Sequence, residues 1–262
     1  MKRTILTGIL ALAAGAAAVM AQAQAPAAPK GPAPKSKAEL EALQALFQAQ
    51  GNPDAVIKGA EELLQKFADT DFKETALYME ADAYQQKRDF TKAQIYAEQA
   101  LQVNPKSYQA SIMLAELIAK STRENDLDKE EKLTKSEKYA KDAMDFVKDA
   151  PKPNPQVTDQ QWDEFKKGVV ARAHDALGLG ALVRKKFDVA AGEFKLAVEN
   201  DPQPAFIVQE ASALQSAGKN DEAIALCDKI IADPQGHPQI KQVAQQVRAA
   251  AVKAGGKAPG GQ

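Results

Sequence analysis

From residue 37 onward, apolar side chains recur every three to four positions in blocks parted by short polar breaks. That period predicts a run of amphipathic helices. Ser36 or Lys37 opens the first, which extends to Gln50 with Leu40, Leu43 and Phe47 on one face; Gly51, Asn52 and Pro53 stop it. A second spans Ala55 to Phe67. Asp71 and Glu74 have the spacing of a capping box, in which two side chains satisfy orphan backbone N–H groups, and the helix behind them runs to about Lys87. The next covers Phe90 to Gln102 and ends before Asn104 and Pro105.

Tyr108 to Lys120 reads as another helix, with Leu114 and Ala115 at its packing places. An insertion, Ser121 to Lys135, delays its partner, which runs to Val147 with Ser136, Ala140 and Ala143 on the close-packed face. Pro151, Pro153 and Pro155 form a loop. Thr158 and Gln161 make a second capping box, and the helix they start extends from Asp159 to Val183. Two shorter helices lie between Pro204 and Pro234, and a last one covers Pro238 to Lys253.

The blocks repeat. Leu77, Ala81 and Tyr84, followed by Ala93, Ala97 and a closing Pro105, return as His174, Leu177, Gly178 and Ala181, followed by Ala190, Phe194 and Pro202. Ala211, Leu214, the Gly218 turn, Ala223 and Cys227 keep the same register. Two antiparallel helices approach closely only where small side chains meet, which Ala81 and Ala93 provide. This register resembles the tetratricopeptide repeat, a 34-residue helix-turn-helix unit with small residues at the helix crossing and a proline at its end. Glu80 departs from it, standing where leucine is usual. The resemblance covers most of residues 37–235. It implies an all-α fold: a right-handed α-solenoid of helix-turn-helix repeats, with the C-terminal helix as its polar-backed cap.

The N-terminus carries a different signal. Lys2 and Arg3 precede an uncharged stretch, Ile5 to Met20, ending in Ala21-Gln22-Ala23, the small-x-small form a signal peptidase needs. The stretch is sixteen residues, short of the roughly 20 that span a bilayer. The expectation is a Sec-type signal peptide, residues 1–23, cleaved after Ala23 or, as second choice, after Ala25. No lipoprotein cysteine follows it, and the product is periplasmic or secreted with no stable membrane span. Residues 24–36 read as an extended Pro/Ala tether, residues 37–254 as the repeat domain, and residues 255–262 as a disordered tail.

Composition narrows the function. Ala, Leu, Lys, Glu and Gln favour helix, and aromatics are 6% of the chain. The net charge of -1 points away from nucleic acid as a bulk partner. The single cysteine, Cys227, excludes an internal disulfide, and it falls at a helix-packing place. His174 falls at a core place and His237 in a turn, neither with a metal-ligand neighbour one helical turn away. Gly178-Leu179-Gly180 lies inside a helical pattern with no strand before it, so it is no dinucleotide loop. Asp126, Asp128 and Glu130 faintly resemble a calcium loop, but Glu131 stands where its turn glycine is needed. No catalytic set, cofactor site or metal site is expected, so the reading is a binding protein and not an enzyme.

What the resemblance implies is a partner groove lined by the first helix of each unit. Tyr78, Asp82 and Gln85 fall there, then Ile112 and Glu116, then Asp175, Leu179 and Leu182, then Val208 and Ser212. The partner is a protein or peptide. Its C-terminal carboxylate is not the recognised group, since Tyr78 and Asp82 replace the Lys and Asn that would clamp one. The alternative is self-assembly of a structural protein of the cell envelope. There the apolar face of the long helix at Trp162, Phe165, Val169 and Val170 would dock a second copy to form a homo-oligomer.

Overall fold

The computed structural model describes residues 31–255 and Lys257. The signal-peptide assignment, the first part of the tether and most of the C-terminal tail lie outside the described residues. Among those residues there are eleven α-helices and no strand. They are α1 (Lys37–Gln48), α2 (Pro53–Lys66), α3 (Lys73–Gln86), α4 (Phe90–Val103), α5 (Tyr108–Ser121), α6 (Lys129–Lys148), α7 (Asp159–Val183), α8 (Phe187–Asn200), α9 (Pro204–Ser216), α10 (Asn220–Ala232) and α11 (Pro238–Lys253). No described helix is long and apolar enough to cross a membrane. The fold is all-α and built of antiparallel helix-turn-helix repeats.

Several helices start where a side chain satisfies one of their first N–H groups. Ser36 caps α1, Asn52 caps α2 and Asp89 caps α4. Thr158 and Gln161 form the reciprocal box ahead of α7, with bonds of 3.0 and 3.2 Å. The box expected at Asp71 and Glu74 does not form. Asp71 pairs with Lys35 at 3.3 Å, and Glu74 accepts from the Ser107 hydroxyl at 2.6 Å. Long-range partners outcompete the local cap there. Lys35 also reaches Asp69, so the last residues of the Pro/Ala segment are fastened to the first helices. The 121–135 segment, read as an insertion, is mostly helical, because α5 includes Ser121 and α6 begins at Lys129.

The chain forms two compact units. Among the described residues, unit 1 comprises 31–110 with 150–162, and unit 2 comprises 111–149 with 163–255 and Lys257. In unit 1, α1 packs on α2, α2 on α3 and α3 on α4. Leu43, Leu46, Val56, Ala60, Leu63, Phe72, Ala76, Met79 and Ala83 form its core. In unit 2, α8 packs on α9, α9 on α10 and α10 on α11, and α9 also touches α11. Phe194, Leu214, Ile224 and Ala251 anchor one core cluster there; Val208, Cys227, Ile230 and Ala244 anchor another. Each helix chiefly meets its near neighbours in sequence, which is the packing order of a repeat array.

Three turns between paired helices are copies of one another. Arg88, Lys185 and Gly218 have φ of 62°, 58° and 80°. In each turn the following N–H reaches back to the helix: Asp89 to Tyr84, Lys186 to Ala181 and Lys219 to Leu214, all at 2.9 Å. This is the Schellman ending, which uses a left-handed residue to satisfy the last carbonyls. Glycine takes that conformation without strain, so Arg88 and Lys185 carry a local cost that Gly218 avoids.

The small residues sit at the helix crossings. Ala81, Ala93 and Ala97 in unit 1 are fully buried, as are Ala190 and Phe194 in unit 2. At Gly178 an added Cβ would lie 2.6 Å from the Phe194 ring. Phe194 therefore occupies the space that the missing side chain leaves. Ser136 of α6 donates to the Ala115 carbonyl of α5 at 2.8 Å, linking the close-packed faces of that pair.

Candidate partner-binding surface

Unit 2 places the first helices of successive repeats side by side. Arg172 of α7 grips Glu116 of α5, its Nε donating to Oε1 at 3.2 Å and its Nη2 to Oε2. Lys120, one turn beyond Glu116 on α5, lies 3.4 Å from the same carboxylate. Gln209 of α9 faces Asp175 of α7 and favours its charge, and α9 packs on α11. A polar ladder thus crosses α5, α7 and α9.

The two acids of the ladder differ. Burial opposes the charge on Glu116, but Arg172 and then Lys120 outweigh it and hold the carboxyl below its ordinary value. At Asp175 burial wins and pushes the carboxyl up to about 6, with Oδ1 buried and without a hydrogen-bond partner. The ion pair with Arg172 on the neighbouring helix is what lets the buried Glu116 keep its charge.

The groove residues divide between the two units. In unit 1, Tyr78, Asp82 and Gln85 are half-buried on one face of α3, and Gln86 donates to Asp82 at 2.6 Å. Tyr78 packs beside the cluster of Leu77, Ala100 and Ala110. In unit 2, Leu179 and Leu182 of α7 and Ser212 of α9 are half-buried. Ile112, Glu116, Asp175 and Val208 are not available as an open lining: they are 1%, 6%, 4% and 7% exposed. Helix periodicity cannot separate a groove-facing position from one facing the next repeat, and these four are used for packing. Ser212 and Gln209 lie one turn apart on α9, while Asp175, Leu179 and Leu182 share a face of α7.

The face expected to dock a second copy is also occupied. Trp162 is buried and its Nε1 donates to the Ala150 carbonyl at 3.1 Å; Val169 is buried as well. Phe165 and Val170 are half-buried.

Several other polar groups have structural partners. The His174 Nδ1 lies 2.8 Å from Glu193 on α8, a pair between the helices of one repeat that spacing along the chain could not reveal. His237 is exposed and accepts from the Gln239 N–H at the start of α11. Burial pushes the Cys227 thiol up to about 11, which keeps it in its unreactive form. Asp126 and Asp128 both bind Lys132, while Glu130 and Glu137 both bind Arg184. The described residues contain no cluster of three or more His, Cys, Asp or Glu that could hold a metal.

No family model matches this sequence, and no curated protein does. Solved structures of tetratricopeptide proteins are similar to it. One is a thermophilic TPR protein of Thermus thermophilus: 20% identity, TM-score 0.46, covering 82% of this chain and 99% of that one. A second is a tetratricopeptide repeat protein of Parabacteroides merdae: 14% identity, TM-score 0.43, covering 84% and 91%. A third is the TPR2AB-domain:pHSP90 complex of yeast Sti1: 14% identity, TM-score 0.29, covering 83% and 98%.

Proposed function

We propose that this chain is an exported, non-catalytic scaffold that holds a protein or peptide partner on the first helices of its repeats, in the assembly or upkeep of cell-envelope complexes. The observation that carries the reading is the side-by-side placement of α5, α7 and α9 by the Glu116–Arg172 and Asp175–Gln209 contacts. That row leaves Leu179, Leu182 and Ser212 partly open beside a polar ladder. Half-buried leucines next to a buried polar row suit the apolar side of an extended or helical partner segment. On α3 the half-open residues are Tyr78, Asp82 and Gln85, and an aromatic of this kind is a common anchor of binding energy. Export rests on Lys2, Arg3, the apolar stretch from Ile5 to Met20 and the Ala21-Gln22-Ala23 site.

The test is crosslinked pull-down from the source cell envelope with wild type and with a Tyr78→Ala, Leu182→Ala double variant. The reading expects recovery of the partner to fall at least about tenfold, the loss that one or two hot-spot residues produce. Equal recovery would remove the first-helix surface as the binding site. Fractionation of cells making the full chain tests export: a shortened mature protein outside the cytoplasm is expected, and an uncut cytoplasmic one would refute it.

A further inference from the structure

Glu80 lies on the side of α3 roughly opposite Tyr78, Asp82 and Gln85, given the helical period. It is 1% exposed, and its Oε1 has no hydrogen-bond partner among the described residues. Leu114 and Leu177 hold the corresponding place in two other repeats and Glu210 in a third, so a carboxyl stands here where two of the repeats carry an apolar side chain. The neighbours are specific. From α4, Tyr96 and then Lys92 favour the charge on the carboxyl, while Glu61 of α2 opposes it. Tyr96 stacks on Tyr84 with ring centroids 5.3 Å apart, and the Lys92 Nζ lies 4.8 Å from the Tyr84 ring centre. Lys92 is thus engaged by an aromatic face, and no ion pair to Glu80 forms. A buried charge without a paired cation is costly, and a neutral carboxyl far less so.

We infer that Glu80 is a proton-operated latch of unit 1: with the carboxyl protonated α2, α3 and α4 close over it, and loss of the proton loosens their packing and the α3 surface that bears Tyr78, Asp82 and Gln85. Burial is the main cause that pushes this carboxyl from 4.5 up to about 7. The folded state therefore holds the proton more tightly than the open state. Stability contributed by the protonated form is complete below the open-state value near 4.5 and is lost as pH rises through about 7. The latch stands on unit 1 geometry alone and goes beyond the proposed binding role.

Hydrogen exchange of the full chain at about pH 6 and about pH 8, with each amide corrected for its intrinsic rate, reads the latch directly. Between those values the linkage raises the opening constant of α3 and α4 about tenfold. Glu80→Gln abolishes that rise. Glu74, also on α3, and Asp175 and Glu210 in unit 2 are likewise raised by burial, so the variant and not the wild-type profile isolates Glu80. Tyr96→Phe removes a hydroxyl that favours the charged form and moves the transition to higher pH. It serves as the second reading should Glu80→Gln fail to fold. Loss of the rise in Glu80→Gln, or the upward move in Tyr96→Phe, supports the latch. An unchanged rise in Glu80→Gln, or an unmoved transition in Tyr96→Phe, overturns it.

Discussion

Unit 1 and unit 2 each bury a glutamate on the first helix of a repeat, and treat it in opposite ways. Glu80 on α3 is left with Tyr96, an unfilled oxygen and a distracted Lys92, and its carboxyl is pushed up to about 7. Glu116 on α5 is gripped by Arg172 and approached by Lys120, and its carboxyl is held low. Burial is similar in the two cases; the cation on the next element differs. The lesson is that burial alone does not set the state of an acid in this fold. Its neighbour one helix away does. Asp175 sharpens the point within unit 2, because it sits one turn from Arg172 yet stays raised, with Arg172 committed to Glu116.

The largest expected effect comes from breaking the paired case. Arg172→Ala leaves Glu116 buried without its main cation. Urea unfolding at neutral pH should show a loss of about 2–3 kcal/mol, below the figure for a fully buried pair because Arg172 keeps 40% exposure. Next is Glu80→Gln, which makes the unpaired case neutral. Urea unfolding at about pH 8 should show a gain of about 2 kcal/mol that disappears near pH 4, where wild-type Glu80 is already protonated. The opposite pH sign holds for Glu116: its contribution is present above the ordinary glutamate value and is lost as pH falls through its lowered one.

The helix crossings offer a third contrast. Unit 2 packs Gly178 against Phe194, and in the shared register unit 1 has the buried Ala81 and Ala97 at those two places. Gly178→Ala drives a methyl into the Phe194 ring, and the clash outweighs the helix gain of alanine. Thermal unfolding should register a net loss of about 1–2 kcal/mol. The smallest effect is at the turns. Arg88→Gly removes left-handed strain from unit 1 and should raise stability by about 0.5–1 kcal/mol in the same measurement. Lys185→Gly should gain less, because it also gives up an exposed pair with Glu124.

Much of the helical architecture could be read from periodicity and punctuation. Helix α7 opens at Asp159 because the Thr158 box starts it, and that signal is local. The crossing residues were legible for the same reason, since only small side chains fit and Ala81, Ala93 and Gly178 stand out in the repeat register. The turns at Arg88 and Lys185 were hidden, because each lacks the glycine that marks the third copy at Gly218. The groove was legible only in part. Periodicity places Asp175, Leu179 and Leu182 on one face, but it is blind to which neighbour that face meets, so Asp175 proved buried. The ladder joins residues separated by 56 positions, Glu116 and Arg172, and nothing in local spacing announces such a pair.

The most direct test of the account is site-specific photo-crosslinking of the full chain in the cell that makes it. A crosslinker at Gln85 or Leu182, on first helices, is compared with one at Gln102 or Lys195, on second helices. The account predicts discrete crosslinked polypeptides from the first-helix positions and none from the second-helix ones. Products of equal yield from both sets, or from the second helices alone, would contradict it.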